Sequence, residues 1–265
     1  MKKLNTNVKR LPFLPLDALE RLFSKETLAI VITPFVNGTE CVQWVSSINQ
    51  LATFDRYMNA PNVGVSKIGM TLFETDDIQD KVQLYFDTAK EFPSYLNDIF
   101  KPYDDPLSRI LTAFNNLWKP GIEVGVLNDK KMCPGIIRRI EHQGDDGLPP
   151  HQDRLEKDTD INNTRLLCQL AVNLYLQTPE NGGELLIYPV ELSQDEVDSL
   201  YTGEHDFMDT SKLPAPIVLK PQEGTMIIFR SSCVHSVNAC QNVDRIAASC
   251  SIGYYGDDKP LKHWS

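Results

Sequence analysis

The sequence predicts an α+β fold in which a sandwich or jelly roll of short strands carries helices on one side. Three observations predict it. Up to about residue 130, apolar residues recur at helical spacing. From about Pro134 the chain turns to short β-rich runs broken by Gly, Pro and Asn. The 265 residues, 42% of them apolar, give enough material for one large domain over 1–265. In it, 1–130 forms a mainly helical part and 131–265 the strand core.

The helical part is read as follows. Leu16 to Phe23 forms a short helix, Thr27 to Phe35 a strand rich in Ile and Val, and Thr39 to Leu51 a helix. Thr75 is placed to cap a helix whose Ile78, Val82, Tyr85, Ala89 and Phe92 share one face. Leu107, Leu111 and Phe114 mark a further helix that stops before Pro120. Downstream, strands are expected over Ile136–Glu141, Leu167–Leu176, Glu184–Tyr188, Ile217–Lys220, Thr225–Phe229, Val234–Asn238 and Arg245–Tyr254. The segment 190–216 interrupts them. Ser193 and Glu196 have capping-box spacing, so a helix should run from Gln194 to Leu200. The rest is polar, and long polar insertions of this kind serve as lids.

Charge and composition exclude several classes. A net charge of -10 and the lack of a basic block with interleaved aromatics argue against nucleic-acid binding. No apolar run approaches the roughly 18 residues of a membrane helix. Met1-Lys2-Lys3 is not followed by the apolar stretch of a secretory signal, so a cytoplasmic location is expected. The six cysteines form no C-x-x-C pair and sit in apolar segments, as core thiols do. The expected partner is a freely diffusing small molecule. Nothing in the sequence speaks to oligomeric state.

Chemistry concentrates in a few polar residues. His151-Gln152-Asp153 is an H-x-D element, which alone is weak, because two such residues near a turn can simply hydrogen-bond there. Its surroundings strengthen it. A strand leads in, Gly144 to Gly147 and Pro149-Pro150 form a turn, His235 follows on a later strand, and Arg245 opens the last one. On extended backbone, residues two apart point the same way, so His151 and Asp153 can reach one metal. With His235 they make the two-imidazole, one-carboxylate face of an octahedral iron(II). Three positions remain, two for a bidentate 2-oxoacid and one for dioxygen. Arg245 offers the guanidinium fork that a distal carboxylate of 2-oxoglutarate requires.

Strand alternation supplies the remaining candidates. Arg245, Ala247, Ser249, Ser251 and Gly253 share one face, with Ile246, Ala248, Cys250 and Ile252 on the other. Gln169, Ala171, Asn173 and Tyr175 likewise oppose an apolar face, and they line either a pocket or solvent. Ser249, Asn173 and Tyr175 are the expected companions of Arg245 around the cosubstrate. Gln169, Ala171, Leu148 and the inward member of the adjacent pair Arg138 and Arg139 are the expected substrate contacts. His142 is read as structural, His205 as solvated, Gly182-Gly183 as a turn, and His263 and Trp264 as a frayed tail.

The strings HQD, ENGGELLIYP, EGTMIIFRSSCVHSVN and DRIAASCSIGYY together resemble the prolyl-4-hydroxylase-like branch of the iron(II)/2-oxoglutarate oxygenases. QLAVNLYLQTPENGGELLIY and the terminal Trp264-Ser265 are similar to the carrier-independent halogenases of the hapalindole and welwitindolinone pathways and to their hydroxylating relatives. The resemblance covers about half the chain, from Pro134 onward. It implies a double-stranded β-helix, iron(II), 2-oxoglutarate and dioxygen, with succinate and carbon dioxide as coproducts, and it makes Trp264 a candidate pocket cover. The halogenases carry Gly or Ala where Asp153 stands, so the resemblance implies hydroxylation. Substrates expected on this footing are amino-acid-like or alkaloid-like. A desaturase or cyclase of the same family, and a non-catalytic 2-oxoacid or metal sensor on the same fold, remain as alternatives.

Overall fold

The structure, a computed structural model, describes residues 1–15, 17–75, 78–144, 147–155, 166–201 and 208–265. The first part of the chain supplies β1 (Lys2–Lys3), β2 (Val8–Leu11), α1 (Ala18–Phe23), β3 (Ala29–Ile32), α2 (Gly38–Leu51), β4 (Asp55–Arg56), β5 (Val65–Ile68), α3 (Gln79–Phe100), α4 (Pro106–Leu117), β6 (Ile122–Val124), β7 (Val126–Leu127) and β8 (Lys130–Lys131). The second part supplies β9 (Ile136–Ile140), β10 (Leu148–His151), β11 (Cys168–Gln177), β12 (Leu185–Glu191), a short helix α5 (Gln194–Asp198), β13 (Ile217–Leu219), β14 (Met226–Arg230), β15 (Cys233–Val237), β16 (Arg245–Tyr254) and β17 (Leu261–Trp264).

Two sheets organise these strands. The smaller runs β1-β12-β15-β10, with β13 also on β12. The larger runs β2-β3-β14-β11-β16-β9-β5-β4, with β17 on β16 and β6 on β17. Side chains from both sheets meet in one cluster: Ala171, Tyr175, Ile227, Phe229 and Ala247 from the larger, Leu185, Ile187, Leu219 and Cys233 from the smaller. The sheets therefore face each other. On the opposite face of the larger sheet, Leu170, Val172, Leu174, Ile246, Ala248, Cys250 and Ile252 pack against α1 to α4 in the main core. The period-2 alternation of β11 and β16 thus separates two buried layers, and Gln169, Asn173 and Tyr175 face the space between the sheets rather than solvent.

The helices follow their sequence signals except at the cap of α3 and in α4, where Ile110 rather than Leu111 is buried. In α3, Tyr85, Ala89, Phe92, Leu96 and Ile99 are buried on one stripe. Thr75 does not cap it. Its hydroxyl bonds Leu72 O within a 3-10 turn, Leu72–Thr75, and Ile78 occupies the cap position without a side-chain bond. In α4 the buried stripe is Leu107, Ile110 and Phe114, with Pro106 at the first turn and Asp105 accepting from Leu107 N and Ser108 N. The segment 1–130 is also less purely helical than expected: β2 and β3 extend one edge of the large sheet, and β5 and β4 the other. The helix start at Leu16 lies outside the described residues.

The insertion after β12 begins as expected. Ser193 and Glu196 form a capping box on α5. Val197, Leu200 and Met208 then bury against Tyr188, Val190 and Val234 on the small sheet. Val234 and His235 are neighbours on β15, so they point to opposite faces. The described part of the insertion therefore packs on the outer face, away from the space between the sheets. Residues 202–207, including His205, lie outside the described residues.

One ion-pair cluster ties the sheets at their rim. Arg230 of β14, only 4% exposed, donates to Glu191 of β12 at 2.9 Å, and Lys25 reaches the same carboxylate at 2.6 Å. Burial raises the Glu191 pKa, but the bonds from Lys25 and Arg230 outweigh it and hold the group down at about 2. The usual value is 4.5, so the stabilisation is full above that pH and is lost as pH falls toward 2. Discounted for partial solvent screening, Glu191→Gln should destabilise by about 1–2 kcal/mol at pH 7. The difference from the unmodified protein should shrink toward zero near pH 2 to 3, read by urea unfolding at both pH values. An undiminished difference at low pH would remove the charge as its cause.

Candidate active site

The H-x-D element lies at the end of β10, a strand missed in sequence because prolines occupy its middle. At an edge this is permitted: β10 is the last strand of the small sheet. Gly147, with φ of 62°, opens it where a Cβ would lie 2.2 Å from Val237 O. Pairing with β15 then sets His151 directly across from His235. Their rings stand 4.2 Å apart, centroid to centroid. Asp153 is fastened by its backbone: its N–H donates to Ser231 O at 3.1 Å, and the Ser231 hydroxyl donates to Asp153 O at 3.2 Å.

These restraints converge the three side chains. Asp153 carboxylate oxygens lie 3.6 Å from His151 Nε2 and 3.4 Å from His235 Nε2. The ligand atoms of the three all fall within 4.8 Å of one another. Each imidazole is oriented from behind. His151 Nδ1 bonds Pro149 O at 2.7 Å, and His235 Nδ1 bonds Cys233 O at 2.9 Å. A carbonyl only accepts, so both Nδ1 atoms carry the proton and both Nε2 lone pairs point toward Asp153. Phe229 packs edge-on against His235 at 4.9 Å. Burial, reinforced by His235, pushes the His151 pKa down to about 4, so this ring is neutral at physiological pH. Burial raises the Asp153 pKa, but His235, His151 and Arg138 outweigh it and hold the carboxyl well below its usual range. Two nitrogen donors and one carboxylate are thus presented together, and this donor set fits an iron(II) ion.

Across the gap, Arg245 begins β16, and it is 5% exposed. Its Nη1 donates to Gly183 O at 3.1 Å and its Nη2 to Tyr175 Oη at 3.2 Å, while the guanidinium lies 4.7 Å from the Tyr175 ring centre. Gly183 therefore does more than turn the chain, since its carbonyl aims Arg245. Gly182 beside it approaches Ala239 O so closely that a Cβ would lie 1.9 Å away. Among the described residues Arg245 has no carboxylate partner. A buried cation bonded only to neutral groups fits an incoming anion, and a 2-oxoacid dianion is one.

The other candidates take distinct places. Ser249 donates to Asn173 Oδ1 at 2.7 Å on the same face as Arg245. Gln169 uses its amide structurally, with Oε1 accepting from Leu155 N at 2.9 Å and Nε2 donating to Ser251 at 3.4 Å. Ala171 is small and buried between Ser251 and Phe229. Of the arginine pair, Arg138 faces inward, opposite Ala247, whereas Arg139 is held by Ser66 and Glu141 on the other face. Leu148 packs with Tyr57, Ile140 and Val237. Trp264 is not in a frayed tail: β17 pairs with β16 and β6, and the indole lies over Gly253, 3% exposed. His263 bonds Pro134 O, and His142 bonds Asp244. All six cysteines are buried and unpaired.

Tyr57, Lys67 and Glu74 escaped the sequence reading. They come from the N-terminal part, and β5 places Lys67 directly opposite Arg138. The alternation of Val65 and Lys67 with Ser66 and Ile68 was the available signal, but four residues are too few to separate a strand from a loop.

Residues 137–252 match the sequence model of the 2OG-Fe(II) oxygenase superfamily. His151, Asp153, His235 and Arg245 all lie within that span, which is somewhat under half of the chain. No curated protein is similar enough in sequence to match it. Among solved structures, an N-substituted L-amino acid dioxygenase from Burkholderia ambifaria AMMD aligns with a TM-score of 0.67 at 18% identity, covering 94% of this chain and 91% of its own. The same protein in complex with α-ketoglutarate aligns with a TM-score of 0.65, also at 18% identity and over the same shares. At that identity the likeness establishes a shared fold. No helix among the described residues is long and apolar enough to cross a membrane.

Proposed function

We propose that this iron(II)- and 2-oxoglutarate-dependent oxygenase hydroxylates an unactivated C–H bond of a free small molecule, amino-acid-like or alkaloid-like. In this reading His151, Asp153 and His235 hold the iron, and Arg245, with Tyr175, Asn173 and Ser249, holds the cosubstrate. The two facing sheets form its double-stranded β-helix. Within the superfamily we place the chain beside the prolyl-4-hydroxylase-like branch and the hydroxylating relatives of the alkaloid halogenases. The observation that carries the reading is the convergence of two histidines, each tied at Nδ1 to a carbonyl, and one carboxylate opposite a buried arginine that meets no anion among the described residues.

When bound, iron(II) supplies activation of dioxygen at the expense of 2-oxoglutarate, which leaves as succinate and carbon dioxide. The chain's own residues do the rest. Pro149 O and Cys233 O keep both imidazoles in the ligating tautomer. Tyr175 and Gly183 O keep the Arg245 fork aimed at the distal carboxylate. Ala171 and Ala247 leave room between the sheets, and Phe229 walls His235 from water. Asp153 would hold the iron through its carboxylate where the halogenases that the chain resembles have Gly or Ala, so hydroxylation rather than halogenation is the expected outcome.

Amino-acid-like compounds come first in any substrate trial, because the N-substituted L-amino acid dioxygenase shares this fold. The test is turnover of a metabolite pool under oxygen-18 gas with excess chloride, read by mass spectrometry. A product heavier by one oxygen and carrying gas-derived label is expected. A chlorinated major product would overturn the role of Asp153. Asp153→Gly is expected to lose hydroxylation without efficient chlorination, since an opened site does not by itself bring the substrate carbon near a halide.

A further inference from the structure

Arg138 is a second cation on the inner face that has no carboxylate partner among the described residues. It lies on β9 opposite Ala247, on the face that carries Arg245. Its Nε donates to Tyr57 Oη at 3.1 Å, and among the described residues neither Nη atom has a protein acceptor. Ala247, its partner, lies between Arg245 and Ser249 on that face and pairs on its other side with Tyr175, so Arg138 stands beside the residues assigned to the cosubstrate.

The groups around it hold it still without neutralising it. Lys67, its cross-strand neighbour on β5, is 4% exposed and pairs at 3.0 Å with Glu74, whose side chain is fully buried. Glu74 is saturated: one oxygen takes Thr71 N and its hydroxyl, and the other takes Met58 N and Lys67. Lys67 also lies 5.3 Å from the centre of the Tyr57 ring. Lys67 and Glu74 cancel each other. On the reading above, iron(II) with Asp153 and the 2-oxoglutarate dianion with Arg245 also cancel. Among the described residues, the positive charge of Arg138 is the remainder. A half-buried guanidinium whose two Nη atoms meet no acceptor among the described residues is placed to receive an anion.

We propose that Arg138, positioned by Tyr57 and the Lys67–Glu74 pair, receives a carboxylate of the substrate, so that the substrate is an organic acid of the amino-acid type rather than a neutral alkaloid. This rests on the oxygenase reading and narrows it. The fork geometry of Arg favours a planar, bidentate anion.

The experiment uses N-acetyl-L-amino acids and their primary amides, paired compound by compound, as probes of 2-oxoglutarate turnover by the iron-loaded protein. Succinate release should be stimulated by at least one acid and by its amide about 100-fold less, the loss expected when a buried ion pair forfeits one partner. Arg138→Gln should lose the stimulation by the acid. Calorimetry with manganese(II) in place of iron should then find the 2-oxoglutarate affinity of that variant within about threefold of the unmodified protein, which also reports an intact fold. Arg138→Lys, which keeps the charge but not the fork, should recover part of the stimulation. The proposal is overturned if acids and amides stimulate equally, if no acid stimulates, or if Arg138→Gln weakens 2-oxoglutarate itself about 100-fold, which would make Arg138 a cosubstrate ligand. Failure of the unmodified protein to bind 2-oxoglutarate with any divalent metal would instead remove the oxygenase reading.

Discussion

Replacing either His151 or His235 by alanine is expected to abolish iron binding and turnover together. The two rings face each other across a strand pair, and each contributes one Nε2 to a point shared with Asp153. Removing one leaves a nitrogen and a carboxylate, a set too weak to compete with water and buffer for iron(II). For His151 the effect should be local, since its carbonyl partner, Pro149 O, is only part-buried; His235 and its partner Cys233 are buried, so His235→Ala should also lower the melting temperature. Metal content by elemental analysis after desalting, alongside a thermal melt, separates the outcomes. Stoichiometric iron in both variants would sink the assignment. Gln152→Ala, which alters the residue between His151 and Asp153 but none of the donors, should retain the metal.

Arg245→Ala is expected to weaken 2-oxoglutarate at least ~100-fold, since stranding one member of a buried charged pair costs roughly 3–5 kcal/mol and each 1.4 kcal/mol is about tenfold. The environment of Arg245 argues for the upper part of that range. The side chain is almost wholly enclosed, its protein partners are a carbonyl and a phenol, and among the described residues no carboxylate pairs with it. Titration of the manganese-loaded protein by calorimetry measures it directly. An unchanged dissociation constant would show that the far carboxylate binds elsewhere. Tyr175→Phe isolates the aiming role of the phenol and should cost less, about 1.5–3 kcal/mol, because a single hydrogen bond from the charged guanidinium is removed.

The strand core was legible because its signal is local. Alternation in β11 and β16 separates polar from apolar faces, and both faces are where the alternation put them. His151, Asp153, His235 and Arg245 were legible as chemistry because each residue type is costly to bury without a task. What could not be read was which residues from distant segments would meet them. Tyr57 and Lys67 reach Arg138 only through the β5–β9 pairing, and a four-residue strand carries too little pattern to announce a partner. Thr75 shows the opposite failure. It is a good cap by type, but a 3-10 turn satisfied its hydroxyl first. Trp264 was expected at a loose end, yet a parallel pairing with β6 draws the tail into the sheet, and register with a strand 140 or so positions earlier is invisible in composition.

The cross-strand pairing of His151 with His235 also bears on how the protein reaches its native state. The two are far apart in the chain, and β10 is an edge strand with prolines in its middle, which cannot donate a full ladder of hydrogen bonds. Closing such a long loop is entropically expensive and gains few backbone bonds, so this corner should be among the last to assemble. A ferrous ion bridging the two strands would act there as a staple that binds only the folded chain. At metal concentrations about 100-fold above its dissociation constant it would add roughly 2.7 kcal/mol to stability. Bound metal would then also slow proteolysis that proceeds through opening of this corner, because it removes the open form from the equilibrium.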